Sequence, residues 1–209
     1  MQIAFALYPG FTALDFVGPY QVLSNVPGNE VVLCAAEPGT IPDDNGLLHV
    51  DVATALDEVA APDLVLVPGG PATRTLAVEE SPIVAWLASV HDTTTWTTSV
   101  CTGALLLGAA GLLRGRPATT HWLAYDELAA FGASPTEQRV VIDGKVATAA
   151  GVSAGIDLAL TLVARQWGET MAQAIQLGIE YDPQPPFDAG SPSKATGPIV
   201  DLVTSMMRG

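Results

Sequence analysis

Short, nearly unbroken apolar runs alternate along this chain with stretches of helical spacing, and that alternation decides the class of fold. The sharpest run is Leu64-Val65-Leu66-Val67, within 63–67, closed by Pro68-Gly69-Gly70-Pro71. A strand with no polar side must be covered on both faces, which is the situation of a central strand in a parallel sheet. Further strands are expected over 2–8, closed by Pro9-Gly10, over 30–36, and over 94–100. Between them lie helices at 13–24 and 81–91, the second opening with Ser81 as N-cap and Pro82 at its first position. Strand, helix and strand in this order imply an α/β fold with a mostly parallel central sheet and helices on both faces.

The second half continues the pattern. A strand at 47–53 is expected at a sheet edge, and a short β segment at 118–121 precedes a helix over 122–131. Segments 139–142 and 145–149 flank Asp143-Gly144, a hairpin turn pair. Helices follow at 155–167 and 169–177, then an irregular Pro-, Gly- and Asp-rich stretch over 178–193, then a last helix at 196–207. No repeat and no linker divides the chain, so residues 1–209 are expected to form one domain.

Charge narrows the partners. A formal net charge of −14, with only 8 Lys and Arg and no cluster of them, repels phosphate backbones and anionic lipid. Nucleic acid and membrane are therefore not expected as partners. The first strand begins at the N-terminus without a basic leader, and the longest apolar stretch, 103–113, is too short to span a bilayer. A cytoplasmic location is expected. The first strand–helix turn is not a GxGxxG loop, no Walker motif is present, and neither Cys34 and Cys101 nor His49, His91 and His121 have metal-ligand spacing. No metal or organic cofactor is expected.

Cys101 is the candidate nucleophile. It ends the run Thr97-Thr98-Ser99-Val100 and stands directly before Thr102-Gly103-Ala104-Leu105. A residue on a tight strand-to-helix turn is pushed outward and placed at a helix N-terminus, which favours a thiolate and should lower the cysteine pKa. A buried structural thiol is the competing reading, as it is for Cys34 in Val31-Val32-Leu33-Cys34. Three features decide between them. The first strand and the helix after it, the Gly69-Gly70 loop and Cys101 all map to the carboxyl edge of the sheet, where open parallel sheets bind ligands.

Asp15, in Leu14-Asp15-Phe16, is the candidate acid. Leu14 and Phe16 should face the core, and a carboxyl pressed between apolar groups tends to keep its proton and can later donate it. Pro19 lacks the N–H that would bond the Asp15 carbonyl, so the helix is expected to distort at the acid. Gly69 and Gly70 admit close backbone approach, and their N–H groups could stabilise negative charge on a substrate. Thr102 occupies the place after the nucleophile where a peptidase of this geometry would want a histidine; it can orient substrate or water but cannot act as a base at neutral pH. His49 and His91 read as structural or solvated, the latter favoured as a cation at a helix C-terminus, while His121 could approach the carboxyl edge.

These segments, with Ala118-Thr119-Thr120-His121-Trp122 and Ala149-Ala150-Gly151-Val152-Ser153-Ala154-Gly155-Ile156-Asp157, resemble the ThiJ/PfpI superfamily over nearly the whole chain. Asp15, Thr102 and the stretch 176–192 resemble its isocyanide hydratase branch. The resemblance implies a flavodoxin-like sandwich, a homodimer, and hydration of R–N≡C to the N-formamide. It also implies Cys101, Asp15 and Thr102 as catalytic residues, and Gly69, Gly70 and Gly103 at the substrate. Two other activities fit the same superfamily: a glyoxalase-like cysteine enzyme, and a non-enzymatic redox sensor or binding domain. A branch of transcription regulators shares the domain but adds a basic helix-turn-helix pair, which an acidic chain of this length is not expected to carry.

Overall fold

In the computed structural model, which describes residues 1–208, the first half of the chain runs β1 (Gln2–Ala6), α1 (Ala13–Leu23), β2 (Glu30–Ala35), β3 (Gly39–Pro42), β4 (His49–Val52), β5 (Thr54–Ala55), β6 (Leu64–Val67), α2 (Thr73–Val78), α3 (Pro82–Val90), β7 (Trp96–Val100) and α4 (Gly103–Ala109). The second half runs β8 (Pro117–Ala118), α5 (Tyr125–Ala130), β9 (Ser134–Pro135), β10 (Val140–Asp143), β11 (Val146–Ala149), α6 (Ala154–Trp167), α7 (Glu169–Gly178) and α8 (Gly197–Arg208).

Seven strands form the main sheet in the order β10-β11-β7-β6-β1-β2-β5. Every neighbouring pair is parallel except the β10–β11 hairpin. The fully apolar run at 64–67 is β6, near the middle and buried at all four positions. From β1 the chain builds outward to β2 on one side and then crosses to β6 on the other. That reversal leaves a crevice at the carboxyl ends of β1 and β6, the place where sheets of this flavodoxin-like order hold ligands. The Tyr8 hydroxyl ties the two ends together by donating to the Pro68 carbonyl at 2.6 Å.

Helices cover both faces, with α1, α6 and α7 packed as one layer and α4 meeting α2, α3 and α5 in the other. Under α1 an aromatic cluster fills the core: the Phe5 and Phe16 rings meet edge to face at 5.3 Å, and Phe16 also touches Phe11 and Tyr20. Close contact between α1 and α6 depends on small residues, since a Cβ on Gly18 would lie 3.0 Å from Ile156 and one on Gly155 would lie 3.2 Å from Pro19.

The structure departs from the sequence expectations at several points. The strand expected at 47–53 is β4, which pairs with β3 in a separate two-stranded ribbon, and the edge of the main sheet is the two-residue β5. The β segment at 118–121 shrinks to β8, paired with β9, and the helix after it begins as a 3-10 turn at Trp122–Ala124. Helix α1 runs through Pro19 unbroken, its missing bond offset by packing against Gly155. Leu14 does not face the core; it is exposed beside a cavity, one position away from the sheet-facing side. Burial and nearby Lys145 push the His91 pKa down, so the cation at the end of α3 is Lys145, which donates to the His91 and Thr94 carbonyls.

Candidate active site

Cys101 lies two residues beyond Ser99, which is paired with Val67, so it emerges level with the β6 turn. Its φ is 55°, a left-handed conformation that an L-residue adopts only when its surroundings enforce it. They do so here. The Cys101 N–H donates to the carbonyls of Ala149 and Ala150 at 3.1 and 3.0 Å, and its carbonyl accepts the Thr120 hydroxyl at 2.8 Å. Helix α4 can start only because residue 103 is glycine: a Cβ there would sit 2.4 Å from the Val67 carbonyl oxygen.

Asp15 comes from the first turn of α1 and is fully buried. Its Oδ2 accepts the Gly69 N–H at 2.8 Å. Its Oδ1 is buried with no hydrogen-bond partner, and the nearby Cys101 thiol favours the carboxylate form. Burial raises the Asp15 pKa to about 7, against the opposing pull of the Gly69 N–H and the thiol.

The expected lowering of the Cys101 pKa is reversed. Burial, followed by the charge of Asp15, pushes it up to about 12, against the N–H groups of Val152 and Thr102 and the Thr102 side chain, which pull it down. Seven-residue α4 does not outweigh the loss of water. The resting pair is therefore a thiol beside a carboxyl that titrates near neutrality. With Asp15 ionised, one proton lies between the two groups, and its passage from sulfur to oxygen changes no net charge.

The glycines hold this pair in register. A Cβ on Gly69 would lie 2.6 Å from the Thr102 nitrogen and 2.8 Å from Asp15 Oδ2; one on Gly70, whose φ is 147°, would lie 2.3 Å from the Gly10 carbonyl. The Gly69 N–H is engaged by Asp15 and the Gly70 N–H by Thr102 Oγ1 at 3.0 Å. Both are held within the protein at rest, and the N–H groups nearest the sulfur belong to Thr102 and Val152.

Cys101 is only 5% exposed, yet it opens on a cavity of about 720 Å³ rather than on packed hydrocarbon. Thr102, His121, Val152 and Leu123 line it, with the ion pair Arg74–Glu127 (3.0 Å) and Met206 and Met207 of α8. His121 Nδ1 accepts the Leu123 N–H, burial and nearby Arg74 lower its pKa, and it also borders a second cavity of about 580 Å³ with Trp122 and Leu14. The roles of Val152, Met206 and Met207 escape sequence reasoning because none is a chemical residue type. The one signal is positional: Val152 follows β11 at the carboxyl edge, and its φ of 32° marks a constrained turn. Cys34 is remote in role, sealed in β2 with its pKa raised by burial to about 12, and both cysteines are free. Among the described residues no cluster of three or more His, Cys, Asp or Glu could hold a metal, and no helix is long and apolar enough to cross a membrane.

Comparison with known proteins is consistent with this geometry. The pattern of the DJ-1/PfpI family matches residues 1–165. An isonitrile hydratase from Pseudomonas putida is 42% identical over 201 residues, covering 96% of this chain and 87% of that protein. The crystal structure of a ThiJ/PfpI family protein from Pseudomonas syringae superposes with a TM-score of 0.92 at 38% identity, covering 99% of this chain and 87% of that one. The HTH-type transcriptional regulator CdhR of Pseudomonas aeruginosa is 32% identical over 80% of this chain, but over 51% of its own length.

Proposed function

The chain belongs to the DJ-1/PfpI family, and we propose that within it this protein is an isocyanide hydratase, adding water to R–N≡C to give the N-substituted formamide. The observation that carries the reading is the buried Asp15 beside Cys101, which itself lines a cavity, in a chain similar to the Pseudomonas putida isonitrile hydratase.

Asp15 as carboxylate takes the proton of Cys101, and the sulfur forms a bond to the terminal isocyanide carbon. That carbon, gaining electron density, receives the proton back from Asp15, giving a thioimidate, Cys101–S–CH=N–R. Water then adds to the same carbon, its proton passing to Asp15. Asp15 passes that proton to the nitrogen; the remaining proton on the added oxygen then moves through Asp15 to the sulfur as the C–S bond breaks, and R–NH–CHO leaves with the thiol restored. Val152 and Thr102 N–H groups stabilise charge on sulfur in both halves. Thr102, held by Gly70, orients substrate or water, while Gly69 fixes the acid and Gly103 permits the turn. These steps require a nucleophile, a proton carrier and water, and route nothing through a cofactor. The reaction is of the lyase type, and a cytoplasmic site suits a reduced thiol.

Loss of the N≡C infrared stretch on mixing protein with cyclohexyl isocyanide, with N-cyclohexylformamide as product, is the expected result; Cys101→Ala should abolish it. No consumption by the intact chain overturns the reading. We also propose that the protein pairs with a second copy through Leu14, Val17 and Tyr20, left exposed on α1. Sedimentation velocity should give twice the chain mass, and a monomer at micromolar concentration removes that proposal.

A further inference from the structure

Helix α8 carries an apolar stripe that the sheet does not use. Val200, Val203 and Met207 recur at helical spacing; the first two are half-buried, whereas Met207, like Ile199, Leu202 and Met206, is exposed. The last turn of this helix reaches the Cys101 cavity, where both Met206 and Met207 line the wall. Pro71, Leu123 and Val152, apolar as well, line the same cavity. The charged groups on the same rim are already engaged: Arg74 with Glu127 at 3.0 Å, and Asp44 with the Thr12 hydroxyl at 2.7 Å. A substituent extending from the sulfur therefore finds hydrocarbon and thioether in this lining, beside the neutral polar groups of Thr12, Asn45 and Thr102, and no unpaired arginine.

Resting on the isocyanide reading, we infer that Met206 and Met207 form the specificity wall of the site and select isocyanides whose substituent is neutral, apolar and larger than a methyl group. Methionine suits this task. Its unbranched, polarisable side chain fills irregular gaps around differently shaped substituents. A substituent in contact with the wall loses apolar surface to water, and that gain is present in the transition state as well as on binding, so it enters kcat/KM.

The test compares cyclohexyl isocyanide with methyl isocyanide. Met206→Ala combined with Met207→Ala should lower kcat/KM for the cyclohexyl compound roughly tenfold, and for methyl isocyanide less than about twofold. Leu202→Ala, on the same helix but outside the cavity, should change neither. Equal losses on both substrates, or no loss on either, overturn the inference. A second readout does not need turnover. Of the 4 methionines, the ¹³C ε-methyl signals of Met206 and Met207 should shift on titration with N-cyclohexylformamide and stay in place with N-methylformamide. Unmoved signals with the cyclohexyl product overturn the wall whether or not the chain hydrates isocyanides. Absence of hydration with shifted signals instead removes the proposed reaction and leaves the wall standing.

Discussion

In the proposed reaction Asp15 carries the proton, and its burial works against the fold. Its pKa rises from an ordinary 3.8 to about 7 because the carboxylate has left water. The native chain therefore holds a proton that the unfolded chain has lost between those two values, and stability falls as pH climbs through that window. At one pKa unit per 1.4 kcal/mol, the charged carboxylate destabilises by up to about 4 kcal/mol above neutrality. Asp15→Asn removes that burden. It should raise the melting temperature at pH 8, with the difference shrinking toward pH 4, while lowering kcat/KM at least a hundredfold by roughly the usual value of a positioned acid–base. In the unsubstituted chain kcat/KM should increase as pH passes about 7, when Asp15 becomes able to take the thiol proton. A flat profile from pH 5 to 9 would contradict that role. Both residues were legible from their neighbours in sequence. Their protonation was not: it depends on burial contributed by α1, β6, β7 and β11 together, which no local window contains.

At the scale of elements, the turn between β7 and α4 is where backbone and chemistry coincide. The left-handed Cys101 is held by carbonyls of β11 and its following residue on one side and by the hydroxyl of Thr120 on the other. Gly103→Ala would drive a Cβ into the Val67 carbonyl at 2.4 Å, which is backbone and cannot swing away. Loss of roughly 3 kcal/mol or more in urea denaturation is expected, with Gly178→Ala, which meets nothing within 4 Å, as the harmless comparison. Central strands β1 and β6 were readable because burial on both faces demands nearly unbroken apolar runs, and β7 because Thr94 to Val100 is rich in β-branched residues. In the ribbon β4 was read as a strand, but β3 and their pairing were not, since strands exposed at half their positions carry the mixed composition of a loop. Helix α2 was missed for a related reason: six residues following Pro-Gly-Gly-Pro are too few to establish a period.

Across the whole molecule, the sequence order of strands places β1 and β6 side by side although 58 residues of the numbering separate Ala6 from Leu64. Acid, glycine loop and sulfur thereby meet at one edge from three distant segments. The winding of the sheet is a global property, and it is what the convergence of motifs at the carboxyl ends made visible in advance. The placement of α8 was not visible, because an amphipathic stripe states that a helix will be covered on one side and says nothing of where.

The unequal surroundings of the two thiols carry a practical meaning. Cys34 is shut inside the sheet, whereas Cys101 borders open space. In the folded chain only one of the two thiols is addressable, so a thiol-selective electrophile slim enough to enter counts intact sites one for one. The other stays silent until the strands come apart, which makes it an internal witness of unfolding.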